Sequence, residues 1–471
     1  MPLSTDYLVV GEGASALAFV DALVAEADVE VTVLDRRQAP GGHWQDAYPF
    51  VRLHSPSAYY GVNSLPLGLD RIETDGKNAG FYERAAGAEV CAYFAQVAAR
   101  LVQTGRVRVL TGHEHLGATG TGEHVRDMAT GGLHEIEVRR KVVDARYLEA
   151  SIPATHRTPF EVAPSARVVA VNDLPEAIGS AASYVVLGAG KTAVDACVWM
   201  LDNDVQPDRI RWIRPRDAWF YDRRHFQPLE QVAAIMEGIS LDAEAGAQAA
   251  SVAELFARLE GSGRLVRIDP AYAATMYRGT MLSAGELDAL RQIEDVVRLG
   301  RVLRVEADRI VLERGESLTS TDALHVDCTA LGLRDAPATP IFAPGRIVLQ
   351  QVRHLSPCFN AALTGFVEAH REEDPDKNRL CPPNPYPRST EDWPRMISRT
   401  WRTEARWLNE PDLAAWVAKS RLNLVRALPD HATEPPAQTA IKRYLTHVGN
   451  AIQNLTQLHA NLPSDPQLRP H

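Results

Sequence analysis

The sequence predicts an α/β fold in which two Rossmann-like dinucleotide-binding domains are followed by a helical C-terminal extension. Two observations carry this. An apolar run from Tyr7 to Val10 leads into Gly11, Glu12, Gly13, Ala14, Ser15 and Ala16. A second, from Tyr184 to Leu187, leads into Gly188, Ala189, Gly190, Lys191, Thr192 and Ala193. Each reads Gly-x-Gly-x-x-Ala between a strand pattern and a helix pattern, the setting in which such a turn holds a dinucleotide. One match is weak evidence. Two in one chain point to two nucleotides and to hydride transfer between them.

The chemistry of both turns is the same. The first glycine (Gly11, Gly188) allows a sharp exit from the strand, and the second (Gly13, Gly190) lets a pyrophosphate approach the backbone. The phosphates then meet free N–H groups at a helix N-terminus, where the helix dipole favours anions. Ala14 and Ser15 open the first helix and Lys191 and Thr192 the second, so they join the glycines as expected cofactor contacts. The alternative for either turn is a packing turn with no ligand.

The residues after each turn separate the two ligands. Val29 to Leu34 is a period-two strand that ends in Asp35 and Arg36. An acidic residue there accepts hydrogen bonds from a ribose diol and repels a 2′-phosphate, so the first site suits FAD. Ile210 to Ile213 end instead in Arg214, Pro215 and Arg216. A guanidinium grips a 2′-phosphate with two hydrogen bonds, so the second site suits NADPH. The alternative is two solvated arginines at a strand end.

Composition narrows the class. At 471 residues, with 45% hydrophobic and 23% charged residues, the chain can fill two or three domains. The net charge of -10 gives no reason to expect nucleic acid or an anionic membrane as a partner. No stretch reaches the ~20 apolar residues that span a bilayer, and the start shows no basic signal region. The five cysteines form no C-x-x-C pair. That suits a reducing cytoplasm, and it argues against a flavin-disulfide reductase, which needs two adjacent redox thiols. His113 and His115 share one strand face, but two ligands are too few, and no metal is expected.

The remaining elements follow in order. Ala88 to Gln103 has helical spacing, and Val107 to Ala145 alternates like an antiparallel meander whose last strand returns to the parallel sheet. The Pro-rich stretch from Ser151 to Pro175 reads as a crossover linker. Glu230 to Val297 reads as mostly helical, and Val302 to Glu313 as period-two strand. Ala323 to Leu331 and Ile347 to Val352 are expected to return to the first domain. Ser356 caps a helix that runs to His370, with Pro357 in its first turn. Trp393, Trp401, Trp407 and Trp416 lie in amphipathic helices, where packing is the simplest role; a dimer interface is the other. The expected domains are 1–175 plus 323–385 for FAD, 176–322 for NADPH with a helical insertion at 230–297, and a helical extension at 386–471.

Between the first unit and the meander lie Gly41, Gly42, His43 and Trp44, then Tyr48 and Pro49, then Arg52, Leu53, His54, Ser55, Pro56, Ser57, Ala58, Tyr59 and Tyr60. With the two glycine turns, this resembles the flavin-containing and Baeyer-Villiger monooxygenases over most of residues 6–220. The resemblance implies a glutathione-reductase-like FAD/NAD(P) architecture. It implies that Gly41, Gly42 and Trp44 line FAD, that His54 stands near the flavin edge where the group has a polar residue, and that Arg214 and Arg216 hold NADPH. It also implies that the helix capped by Ser356 points at the flavin. Arg52 and Arg223 join His54 as candidate catalytic residues, with Arg224 and His225 beside them; structural salt bridges are the alternative for the arginines. Two features depart from the group. Arg146 replaces the glycine of its Ala-Thr-Gly strand end, and Thr158 to Pro175 lacks its Phe-x-Gly-x-x-x-His spacing.

The implied activity is an NADPH-oxidising monooxygenase that transfers oxygen, through a flavin C4a-(hydro)peroxide, to a small organic substrate. The alternatives are an FAD-dependent NAD(P)H oxidoreductase that inserts no oxygen and a non-catalytic FAD-binding protein.

Overall fold

A computed structural model of the chain describes residues 3–119 and 122–462. Strand β1 (Leu3–Val10) lies between β2 (Val31–Asp35) and β6 (Leu133–Asp144), and β3 (Val107–Thr111) extends the sheet beyond β2. Strand Arg346–Val348 pairs beyond β6, and all of these pairings are parallel. Both faces of β1 are covered, which is why Tyr7 to Val10 is uninterruptedly apolar. Tyr7, Val9 and Val33 face a helical layer of α1 (Ala14–Glu26), α2 (Gly87–Gln103) and helix Pro357–His370. Leu8, Val10 and Leu34 face the meander, where Val125 and Ile136 meet them. The meander adds β4 (His113–Thr119) and β5 (Gly122–Asp127) antiparallel to the start of β6, whose end completes the parallel sheet.

The second domain repeats the plan. Strand Tyr184–Leu187 pairs in parallel with Ile210–Ile213 on one side and Leu324–Asp327 on the other. Val296–Val297 and Val168–Ala170 form the edges. Two expectations change here. Residues 323–331 do not return to the first sheet, because Leu324, His325, Val326 and Asp327 fill the open edge of Tyr184–Leu187, in register with it. The stretch 151–175 is likewise more than a linker, since Val168–Ala170 belongs to the second sheet.

The insertion at 230–297 is helical only in part. Helices Val232–Gln248 and Val252–Gly261 form as expected, but Ala274–Leu282 is a strand beside Asp217–Asp222. Its alternating burial shows the half-covered face that a strand needs.

The C-terminal helices touch both domains. Trp393 and Trp401 of helix Asp392–Trp407 join Ala451 and Leu455 of helix Pro435–Ala460 in a core with Tyr221, Phe226 and Leu255. Trp407 and Leu413 join the first domain's core, and Trp416 packs on its margin. These tryptophans therefore serve packing. No helix among the described residues is long and apolar enough to cross a membrane.

The helix Pro357–His370 lies against α1 so closely that a Cβ on Gly365 would stand 2.6 Å from the Phe19 carbonyl oxygen. Gly365→Ala gains ~1 kcal/mol of helix propensity but forces a backbone shift that costs about 1–3 kcal/mol. A lowered melting temperature in thermal denaturation is the expected outcome; an unchanged one would show that the two helices separate freely.

Candidate nucleotide-binding cleft

The first turn leaves β1 at Gly11, whose φ of +107° only glycine adopts readily. The Gly41-Gly42 loop passes beneath it. Gly41 donates its N–H to the Glu12 carbonyl at 3.0 Å, and a Cβ on Gly42 would lie 2.9 Å from the Gly13 Cα. Helix α1 starts from Gly13 with no side-chain cap, and Ala14 and Ser15 stay half-buried at its mouth. Asp35 ends β2 under the turn, and its carboxylate accepts from the Glu12 and Arg37 N–H groups, both at 2.8 Å. Arg36 is exposed and pairs with Glu149 at 2.7 Å. Trp44 lies at the junction of the two domain cores and donates its indole N–H to Tyr60 at 2.9 Å.

Glu12 was not singled out from the sequence, although a carboxylate inside a glycine turn is unusual. It is fully buried, and neither carboxyl oxygen has a partner. Burial first and the Asp35 charge second push its carboxyl up to about 8. It is therefore neutral near pH 7 and adds no repulsion against a pyrophosphate. Arg146 packs over the same turn, its Cγ 3.2 Å from where a Gly11 Cβ would stand.

The second turn has the same form. Gly188 has φ +123°, and a Cβ there would lie 2.6 Å from the Cys328 carbonyl oxygen. The end of strand Leu324–Asp327 therefore demands glycine. A Cβ on Gly190 would meet nothing within 4 Å, so the turn's outer side is open. Helix Lys191–Asp202 begins there without a side-chain cap, and Lys191 and Thr192 are half-buried. Lys191 Nζ donates to the Arg52 carbonyl at 3.0 Å and pairs with Asp195. Tyr48, from the first domain, donates its hydroxyl to the same Asp195 at 2.6 Å. Asp195 was missed in the sequence, although its i,i+4 spacing from Lys191 is the signal of such a pair.

The two arginines after Ile213 differ. Arg214 is 3% exposed, pairs with Asp217 at 2.8 Å and stacks over Trp212 at 5.1 Å. That geometry makes it a buried structural ion pair and corrects its expected place on NADPH. Arg216 is exposed and, among the described residues, forms no ion pair. Partial desolvation by its surroundings and then the charge of Arg301 lower its basicity, and Arg278 stands near enough to feel its charge.

The three catalytic candidates also part. The structure commits the Arg223 guanidinium fully. It donates to the His54 carbonyl at 3.0 Å, to Asn78 at 3.2 Å and to the Met281 carbonyl at 3.2 Å, and it pairs with Glu286 at 2.7 Å. Arg223 is thus a positioning residue for the His54 loop, not a group free to meet substrate. Arg52 is exposed and donates to the Arg84 carbonyl at 2.9 Å. His54 is half-buried between the domains, and desolvation followed by the charges of Lys191, Arg223 and Arg84 holds its imidazole well below the ordinary range. Ser356 is buried at the start of helix Pro357–His370 and donates its hydroxyl to the His354 carbonyl at 3.2 Å, without capping the helix. That helix end keeps its free N–H groups.

No protein-family model matches the chain. An uncharacterized protein of Mycobacterium tuberculosis strain H37Rv is 43% identical over 460 residues, which is 97% of this chain and 84% of that protein. An uncharacterized protein of Mycobacterium bovis matches to the same extent, 43% over 460 residues. Among solved structures, an open cyclohexanone monooxygenase is similar with a TM-score of 0.50 and 13% identity, over 78% of this chain and 87% of that one. A polycyclic ketone monooxygenase from Thermothelomyces thermophila has a TM-score of 0.50 and 12% identity, over 98% of this chain and 88% of that one.

Glu12 makes stability depend on pH. Its carboxyl is raised from 4.5 in the free state to about 8 when folded. The folded chain then holds a proton that the unfolded chain releases, so stability is greatest below the free value and falls as pH climbs toward the folded one. Glu12→Gln is expected to flatten that slope and to raise the melting temperature of the cofactor-free protein at the alkaline end. Identical pH profiles for the two proteins would show that Glu12 ionises freely in the fold.

Proposed function

This chain belongs to one family with the mycobacterial proteins, and we propose that it is an FAD-dependent oxidoreductase that oxidises NADPH and transfers oxygen to a small organic substrate. The observation that carries the reading is the pair of glycine turns, both open at a helix N-terminus and joined through Tyr48, Asp195 and Lys191. The fold shared with the two ketone monooxygenases supports it.

The residues present fit both cofactors. Gly11, Gly13, Ala14 and Ser15 would hold the FAD pyrophosphate on the open end of α1, beside a neutral Glu12. Asp35 keeps acceptor capacity for a ribose diol, and Gly42 and Trp44 would border the flavin. Bound FAD would supply the redox chemistry that carries electrons from NADPH to oxygen. Around it, the uncapped helix at Ser356 would stabilise negative charge on the reduced ring. His54, held as a neutral imidazole, can donate or accept a hydrogen bond there. Gly188, Gly190, Lys191 and Thr192 would hold the NADPH pyrophosphate, and Arg216 the 2′-phosphate. The partners are then an organic substrate and molecular oxygen, and the compartment the cytoplasm.

A second reading is an oxidoreductase that reduces oxygen without inserting it. What separates this chain from the resembled group, Arg146 in place of its glycine, is the ground for keeping this reading beside the first.

NADPH added anaerobically is expected to bleach the yellow flavin, and oxygen with a panel of amines, thioethers and ketones to restore it with product formed. Colourless protein that takes up no FAD would overturn both readings, and peroxide without any product would favour the second. Arg216→Ala is expected to raise KM for NADPH about tenfold or more, the worth of a charge-assisted contact, and to spare KM for NADH. Equal changes for both coenzymes would remove Arg216 from the 2′-phosphate.

A further inference from the structure

The meander brings together residues that the sequence left apart. His113 of β4 stands directly opposite Asp127 of β5, and His134 of β6 stands opposite Val125, two residues along β5 from Asp127. Because side chains alternate along strands, all three project from one face. One Nδ1 or Nε2 atom from each imidazole and one carboxylate oxygen lie within 4.8 Å of one another. We propose that His113, Asp127 and His134 form a binding site for one divalent transition-metal ion, with Zn2+ as its simplest occupant.

The details suit a ligand set. His113 Nδ1 lies 2.6 Å from the Thr111 carbonyl oxygen. A carbonyl only accepts, so Nδ1 carries the proton and Nε2 presents its lone pair. This is the arrangement that orients metal-binding histidines. The Asp127 carboxylate is aimed by hydrogen bonds from Ala129 N–H at 2.8 Å and the Thr130 hydroxyl at 2.8 Å. Among the described residues no lysine or arginine pairs with it; neighbouring Arg126 is taken by Glu114. His134 is exposed, and its ring is free to turn inward.

Donor atoms around a tetrahedral Zn2+ with bonds of ~2.0–2.1 Å sit roughly 3.3 Å apart. The cluster must therefore contract by about 1.5 Å at most, within the reach of one surface side chain. Two imidazoles and one carboxylate select Zn2+, Cu2+ or Ni2+ over Mg2+ and Ca2+, which prefer oxygen alone. A fourth position stays open to water. Each strand supplies one ligand, so the ion would clip the β3–β4 turn to the β5–β6 turn. His115, on the same face, is held by Glu123 at 2.7 Å and is not needed.

The test is calorimetric titration of the tag-free, FAD-loaded protein with ZnCl2, with Cu2+ electron paramagnetic resonance as a second readout. One equivalent of Zn2+ should bind, and the Cu2+ spectrum should show nitrogen coupling from two imidazoles. His113→Ala and His134→Ala should each weaken Zn2+ binding about tenfold or more, while retaining the flavin spectrum and the circular dichroism of the parent. His115→Gln should bind as the parent does. Absence of saturable Zn2+ binding, or unchanged affinity in both alanine variants, would overturn the site. Loss of FAD binding would bear on the proposed function alone.

Discussion

The segment Tyr48–Val51 is first-domain chain that packs as second-domain core. Tyr48 and Val51 are buried with Val194 and Trp212 of the other domain, and Phe50 stacks on Trp199 at 4.8 Å. Buried aromatics of this size contribute most of the energy of such a junction. The polar end of Tyr48 sets its register, because its hydroxyl meets Asp195, which also holds Lys191 of the second glycine turn. Tyr48, apolar on its faces and polar at its tip, thus helps to fix the mutual placement of the two nucleotide turns, together with the Lys191 bond to the Arg52 carbonyl. Had the domains met only through surface charges, screening would leave them free to swing.

Charge around the cleft follows a single rule: what is buried is paired. Arg214 meets Asp217, Arg223 meets Glu286, and Arg84 meets the other oxygen of Glu286 at 3.2 Å. Removing one member of such a pair strands the other, which is why these residues serve architecture better than they serve a transient ligand. Glu12 is the exception, and it escapes the cost by staying protonated. Desolvation comes first in this, and the neighbouring Asp35, which takes two backbone N–H groups, adds to it.

Both glycine turns, their strands and the acidic end of β2 were legible in the sequence because each has a local cause: a period, a glycine or a strand-end charge. Strand Leu324–Asp327 was misplaced for the opposite reason. Four consecutive buried residues read alike in either sheet, and only the unfilled edge of Tyr184–Leu187 decides where they go. Arg214 and Arg216 look equivalent in the chain, yet the paired acid Asp217 lies three residues from the first and leaves the second free. The strand Ala274–Leu282 was hidden among alanines and leucines whose helical spacing is fortuitous once Asp217–Asp222 offers an edge. Glu286 closes a capping box with Ser283 in the structure. Its ion pairs with Arg223 and Arg84 depend on tertiary structure alone.

The loop that carries His54 shows how distant parts of the chain set one chemical property. Arg223, from the second domain, holds its start through the His54 carbonyl. Arg421, from the C-terminal extension, holds its end by donating to the carbonyls of Ala58 at 2.7 Å, Tyr60 at 2.8 Å and Val62 at 2.6 Å. Tyr59, between them, donates to the Phe226 carbonyl at 2.9 Å. A backbone gripped at both ends keeps the loop where the charges of Lys191, Arg223 and Arg84 act on the imidazole. Desolvation first, and then these cations, keep the ring uncharged. A flexible loop would let water screen those charges, and the imidazole would regain its ordinary basicity. The C-terminal extension thus contributes to the cleft through Arg421, by denying the His54 loop the freedom that would return its imidazole to solvent.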